Sequence, residues 1–217
     1  MEIISSMLDF FIKGGTFMYP ILLVLVVGLS IAAERWVQLT RIRLNNRKMW
    51  KRVQPLLDQG DFDQARDMVD GDNSTIAEML SMGLARHSLA RRREDIEIAM
   101  EECMMEIIPQ LEKRNPYIAL LSNIATLLGL LGTIMGLIAA FTAVANANPA
   151  EKADLLSASI SVAMNTTAFG LMAAIPMLLL HAKLTSATGE IVDSLEMASV
   201  KALNAISISS KRQLPTS

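Results

Sequence analysis

The sequence predicts an all-α, polytopic membrane protein in which three transmembrane helices join long helices extending into the cytoplasm. Three observations lead there. Uncharged apolar stretches run from Gly14 to Ala33, from Asn115 to Ala150 and from Leu155 to Leu180. Each reaches or exceeds the roughly 20 residues that a helix needs to cross a bilayer. Hydrophobic residues make up 52% of the chain and charged residues only 19%, with a mean hydropathy of +0.36. Lysine and arginine crowd between the first two stretches, a bias that marks cytoplasmic segments.

In chain order, residues 1–13 form an amino-terminal amphipathic segment, whose Ile3, Ile4, Met7, Leu8, Phe10 and Phe11 suit a membrane interface. Gly14-Gly15 punctuates it. Transmembrane helix 1 spans 14–36, with Tyr19 and Trp36 near its ends as interfacial aromatics. It lacks a basic leader and a small-residue cleavage site, so it is not read as a signal peptide. A cytoplasmic helical domain follows over 37–115, opening on Arg41, Arg43, Arg47 and Lys48, which puts the amino terminus on the periplasmic side. Val53 to Asp70 has helical periodicity broken at Gly60. Gly71 to Thr75 reads as a turn with Asn73 or Ser74 as helix cap. Thr75 to Ala85 and Arg91 to Arg114 read as further helices. Transmembrane helix 2 covers 116–147 and a periplasmic turn with Asn148-Pro149 covers 148–154. Transmembrane helix 3 covers 155–181, with Lys183 marking its inner end. A cytoplasmic carboxyl-terminal helix and tail fill 182–217.

The second span carries a stripe of small and hydroxyl residues: Ser122, Thr126, Gly129, Thr133, Gly136, Ala140, Ala143 and Ala147. Steps of three and four return to one helix face, and Leu, Ile, Met and Phe cover the remainder. In lipid, bulky residues face acyl chains while small ones allow a close neighbour. The third span repeats the pattern at Ser159, Ala163, Thr167, Gly170 and Ala174, with Asn165 and Thr166 beside it. The small faces are expected to line a central pore, with the stripe-free first span facing lipid. Pro176 deprives the Met172 carbonyl of its donor, and a bend is expected there.

The composition excludes much else. A formal net charge of −2 and a pI near 5.7 argue against nucleic acid as a partner. One cysteine, Cys103, allows no internal disulfide and reads as structural. His87 and His181 are too far apart for a local metal motif. No nucleophile, acid–base pair or phosphate loop is visible, so no catalytic residue, metal site or bound cofactor is expected. No Asp, Glu, Lys or Arg lies inside the three apolar stretches. Ion conduction would therefore need an ionisable group from a partner helix, or an ion held by hydroxyls and carbonyls. Thr126, Thr133, Asn165, Thr166 and Thr167 are the candidates for such a pathway.

Here the residues resemble a family of ion-channel subunits that includes ExbB, TolQ and, more distantly, MotA. Leu127 to Phe141, LLGLLGTIMGLIAAF, is similar to its GLxGTxxG signature. Asn165 to Pro176, NTTAFGLMAAIP, is similar to its TAxGLxAAIP signature, and AAERW at Ala32 to Trp36 resembles its first-span exit. Three spans favour the ExbB and TolQ branch. The resemblance implies a homo-oligomeric, pentameric ring around an ExbD- or TolR-like single-span partner whose membrane aspartate carries the ion. Thr133 and Thr167 would match the pore threonines. It further implies a TonB- or TolA-like effector and the inner membrane of a Gram-negative bacterium. The ExbB-like role would energise outer-membrane nutrient import; the TolQ-like role would maintain the envelope. The chain departs from the pattern at Ala125-Thr126, where Ala-Pro is frequent, and at Val162, where a glutamate is frequent. A lining of hydroxyls without carboxylates suits Na⁺ as well as H⁺, since hard cations take oxygen ligands. A non-conducting membrane scaffold, whose small faces only pack, is the reading from a different class.

Overall fold

The structure is a computed structural model that describes residues 10–11, 14–87, 93–145 and 147–213, without the side chains of residues 87 and 210–213. Most of the amphipathic segment expected over 1–13, and the start expected at Arg91, lie outside those residues. The described residues form helices and turns, with no strand among them. The helices are α1 (Met18–Gln59), α2 (Phe62–Asp70), α3 (Thr75–His87), α4 (Arg93–Glu112), α5 (Asn115–Ala145) and α6 (Lys152–Gln213). Three helical segments are long and apolar enough to cross a membrane: Met18–Gln59, Arg93–Ala145 and Lys152–Ser209. The second includes α4 and α5, which Arg114 separates at a φ of 71°.

Two compact units share these helices. The first comprises Met1–Glu34 and Arg114–Lys183; the second comprises Arg35–Lys113 and Leu184–Ser217. The chain passes between them inside α1 and inside α6. The first span and the basic stretch beyond it are thus one helix of 42 residues, about 63 Å at 1.5 Å per residue. The third span and the carboxyl-terminal helix likewise form one helix of 62 residues, unbroken through Pro176. A helix satisfies its own backbone polar groups in lipid and in water alike, so the change of solvent gives no reason to stop. It stops where a residue signals it.

In the first unit, Gly15 at φ +76° turns the chain into α1, so the helix starts at Met18 rather than at Gly14. Met18, Ile21 and Val24 are buried, while Leu23 and Val26 are exposed. The 31 residues of α5 extend about 46 Å, beyond the roughly 30 Å of a bilayer's hydrocarbon. At its start, the Arg114 guanidinium pairs with the Glu34 carboxylate.

The second unit is built on Leu, Ile and Met: Met79, Leu80, Met100, Leu111, Leu195 and Leu203 are almost wholly buried. Gly60, at φ +80°, ends α1 as the sequence predicts. Its amide donates to the Leu57 carbonyl at 3.1 Å and that of Asp61 to Leu56 at 3.0 Å, the paired bonds of a left-handed helix stop. The Asp61 carboxylate then accepts from the Gln64 amide at 3.1 Å and starts α2. The start of α3 differs from expectation. Neither Asn73 nor the Ser74 hydroxyl caps it; Asn46 of α1 does, its Oδ1 accepting from the Ile76 amide at 3.3 Å and the Thr75 hydroxyl at 3.0 Å. Arg35 is buried and donates to the Leu111 carbonyl, placing a cation on the last turn of α4, where the helix dipole favours it.

Candidate functional site

The small residues of the two apolar helices meet each other. A Cβ built on Gly170 would stand 2.8 Å from the Ala125 carbonyl oxygen and 3.0 Å from the Gly129 Cα. One on Gly136 would stand 2.9 Å from the Ala163 Cβ. Such approach is possible only with glycine or alanine on both sides, and it brings backbone carbonyls within reach of the opposite helix. Ser122 uses this, donating to the Ala174 carbonyl across the seam at 2.8 Å. Ser122, Gly129, Ala140, Ala163, Gly170 and Ala174 are all buried within this unit. Within one chain, most of the set expected on a pore face lies where α5 and α6 meet. Only Gly136 of that set is half-buried.

The phase of the stripe on α5 also shifts. Asn115, Ile118, Ser122, Ala125, Gly129 and Gly132 are buried, whereas Thr126 and Ala143 are exposed. Thr126 bonds back to the Ser122 carbonyl at 3.2 Å, a common resting place for a helical hydroxyl. The missed signal is the phase: continuing the three-four spacing upstream reaches Ile118 and Asn115, and that register contains Ala125.

Of the five candidate pathway residues, two come together. The hydroxyls of Thr133 and Thr167 contact each other across the pair. Both also reach the Gly129 carbonyl, at 3.2 Å from Thr133 and 3.0 Å from Thr167. Both side chains are half-buried, at one edge of the seam. Thr166 goes elsewhere. It is buried and donates to the Gly14 carbonyl at 2.7 Å, sharing that proton with the Val162 carbonyl at 3.0 Å. Around it the chain entering α1 is docked: the Phe17 Cβ lies 3.2 Å from where a Cβ on Gly132 would stand, and Phe11 meets Phe169 edge-on at 5.8 Å between ring centres. Asn165 is half-buried and bonds to no described residue. Successive helical residues point about 100° apart, so Asn165, Thr166 and Thr167 face three directions. Within one chain, Thr133 and Thr167 are the pair whose hydroxyls meet.

Val162 lies on the Thr166 side, its Cγ1 3.2 Å from where a Cβ on Gly15 would stand. At the other end of the seam, the His181 Nδ1 lies 3.0 Å from the Asn115 carbonyl oxygen. Outside the spans, burial and, secondarily, Glu78 and Glu106 push the Cys103 thiol up to about 11. The buried thiol stays protonated at neutral pH, as a structural cysteine does.

Three long apolar helices, two of them locked by glycine contacts and bridged by hydroxyls, define a multi-pass membrane protein. Its class follows from the relatives. Residues 72–197 match the MotA/TolQ/ExbB proton channel family, more than half of the 217 residues. The chain is 30% identical over 193 residues to biopolymer transport protein ExbB-like 1 of Synechocystis sp., covering 86% of this chain and 74% of that one. To an ExbB homolog of Methanothermobacter thermautotrophicus it is 26% identical over 195 residues, 89% of this chain and 68% of the other. To the Tol-Pal system protein TolQ of Haemophilus influenzae it is 34% identical over 87 residues, 40% of this chain and 38% of that protein. The chain belongs to the MotA/TolQ/ExbB family and is a subunit of proton-channel type.

Proposed function

We propose that this protein is the ExbB-like subunit of an ion-driven motor in the inner membrane. In this reading it forms a homo-oligomeric ring around an ExbD-like single-span partner and energises a TonB-like protein for nutrient import across an outer membrane. The Thr133–Thr167 pair is the observation that carries it. Two hydroxyls hold two protons. When Thr167 donates to Gly129 and Thr133 donates to Thr167, the Thr133 oxygen keeps both lone pairs free. Exchanging the roles frees those of Thr167. Such a pair passes a hydrogen bond along without charging itself, and presents acceptor oxygens to a hydrated proton or a cation at the partner's aspartate. With no carboxylate inside the three apolar stretches, the partner supplies the titratable group. An elementary charge falling through 100 mV delivers about 2.3 kcal/mol, so several ions drive one work step.

The ExbB-like role is favoured over the TolQ-like one because the likeness to ExbB-like proteins extends over most of the chain. The stretch resembling TolQ favours envelope maintenance as the second reading. Proton flux into vesicles carrying the chain with its single-span partner tests the channel. Thr133→Val is expected to lower it about a hundredfold, the low end of the range for lost proton-transfer groups. Unchanged flux in that variant would take the Thr133 hydroxyl off the path, no flux from the wild-type pair would leave the non-conducting scaffold standing, and a strict requirement for Na⁺ would replace the proton by sodium.

A further inference from the structure

The net charge of −2 conceals an uneven distribution in the second unit. Residues 41–52 of α1 hold six Lys or Arg and no Asp or Glu, whereas α4 holds seven Asp or Glu and one Arg. Val37, Arg41, Leu44, Lys48 and Lys51 follow at steps of three and four, which keeps them on one face of α1, and all are exposed. On α4, Glu94, Ile98, Glu101, Met105 and Glu112 share a face in the same way and are exposed too. The buried positions, Leu39, Met49 and Val53 on α1 and Ile96, Met100 and Ile107 on α4, take the other sides of these helices. In each exposed row two apolar side chains stand seven positions apart, about 10.5 Å along the helix, with charges of one sign between and beyond them. The rows cover the same length of the unit. At one end Arg35 of α1 reaches the Leu111 carbonyl of α4. At the other, one turn of α6 meets both helices, with Lys201 5.9 Å from the Trp50 ring centre and Asn204 accepting from Arg93 at 3.3 Å. Among the described residues no ion pair joins the two rows: the pairs are Arg43–Glu190, Arg66–Asp70 and Arg114–Glu34.

We propose that these rows dock on each other between copies of this chain, the acidic row of α4 on one subunit against the basic row of α1 on the next. The proposal rests on the ring reading above and names a surface that holds the ring together outside the membrane. Charge selects the occupant. Two α1 rows or two α4 rows would set like charges together, which repel, so the contact joins two different faces. Repeating such a contact closes a ring where the rotation allows it. Lipid does not cover these rows: Leu44 lies eleven positions beyond Ala33, about 16 Å along α1, whereas headgroups reach roughly 5–7 Å past the hydrocarbon. The equal seven-residue spacing lets Val37 and Leu44 pack against Ile98 and Met105 while the flanking cations meet carboxylates. Each subunit then buries the two rows that its own fold leaves exposed.

The test is disulfide trapping in membranes of cells making the chain with its single-span partner. Cys103 is buried and stays in place, with the wild type as control. Coexpressed Leu44→Cys and Met105→Cys chains are expected to give a mixed dimer, and a chain carrying both substitutions a ladder of crosslinked multimers. Each single variant expressed by itself is expected to give no dimer. A Leu44→Cys or Met105→Cys chain that crosslinks to its own kind would overturn the contact between unlike faces. Reversing the acidic row with Glu94→Lys and Glu101→Lys is expected to abolish the ladder. Reversing the basic row as well, with Lys48→Glu and Lys51→Glu, is expected to restore it, and a ladder that does not return would overturn the charge pairing. Native mass spectrometry of the wild-type assembly separates the two readings. An oligomer that never traps the mixed dimer would sink this surface and leave the ring standing. A wild-type chain that is monomeric would sink the ring and this surface with it.

Discussion

One helix, α6, packs by two rules. From Ala163 to Ala174 its buried seam is Ala163, Gly170 and Ala174, flanked by Thr166 and Thr167. From Leu184 to Ile206 the same three-four spacing continues, but the seam is Leu184, Ile191, Leu195, Ala198, Ala202 and Ile206. The period is constant and the content is inverted. Where apolar side chains surround the helix, lipid is as good a partner for leucine as another helix is, so association rests on close contact and hydrogen bonds through small residues. Where the outer faces carry Glu190, Asp193, Glu196 and Lys201, water is the competitor. There, each apolar Å² removed from it contributes about 25 cal/mol.

The largest test of this contrast is a cavity. Leu195 is wholly buried, and Leu195→Ala is expected to destabilise the second unit by about 2–5 kcal/mol. Thermal unfolding followed by proteolysis should lose the stretch around α3 and α4 first. Equal early loss of α5 would mean that the two parts of α6 do not differ as described.

A matched pair of glycines sharpens it. Gly170→Ala drives a Cβ into backbone atoms of α5 at 2.8 and 3.0 Å, and overpacking of this kind costs roughly 1–3 kcal/mol. Gly189, on the same helix, has nothing within 4 Å of such a Cβ. Gly189→Ala is expected to stabilise by up to about 1 kcal/mol through helix propensity alone. Unfolding midpoints of opposite sign are the prediction; midpoints that move together contradict it.

Neighbouring threonines separate packing from conduction at smaller energies. Thr166→Val keeps volume and removes the bond to Gly14, worth about 0.6–1.7 kcal/mol in membrane helices. Hydrogen exchange before Met18 should quicken while ion flux holds. Thr167→Val should leave that exchange alone and lower the flux. The crossed result would reverse the two assignments.

The contrast also explains what the sequence reveals. The three spans, the stop at Gly60 and the pairing of two small-residue helices are local properties of composition and period, and they were legible. The Thr133–Thr167 pair is legible too, because each sits in a glycine-rich stripe. The phase that buries Ala125 and exposes Thr126 is not, since small residues occupy both registers and nothing bulky penalises either. Nor is the fate of Thr166: its acceptor, the Gly14 carbonyl, lies 152 positions away. Asn46 capping α3 from α1 and Arg35 on the Leu111 carbonyl are long-range in the same sense. Composition does not show that α1 and α6 each run on unbroken, because a change of solvent alters the residue pattern without breaking the helix.

The effect smallest at neutral pH sits in the second unit, at Cys103. The buried thiol is pushed from 9.0 to about 11, chiefly by burial and then by Glu78 and Glu106. Above pH 9 the unfolded chain releases this proton while the folded chain keeps it. The unfolded state then binds fewer protons, so stability falls with rising pH. The loss begins near pH 9, grows to about pH 11 and is absent at neutral pH. Cys103→Ala should remove that slope, though it forfeits some packing at every pH. Alkylation gives the cleaner reading, because only the thiolate reacts. Labelling of the native protein at pH 8 is expected to be far slower than labelling after denaturation. Equal rates in the two states would mean that the thiol is neither buried nor shifted, and that α3 and α4 pack more loosely around it than its burial implies.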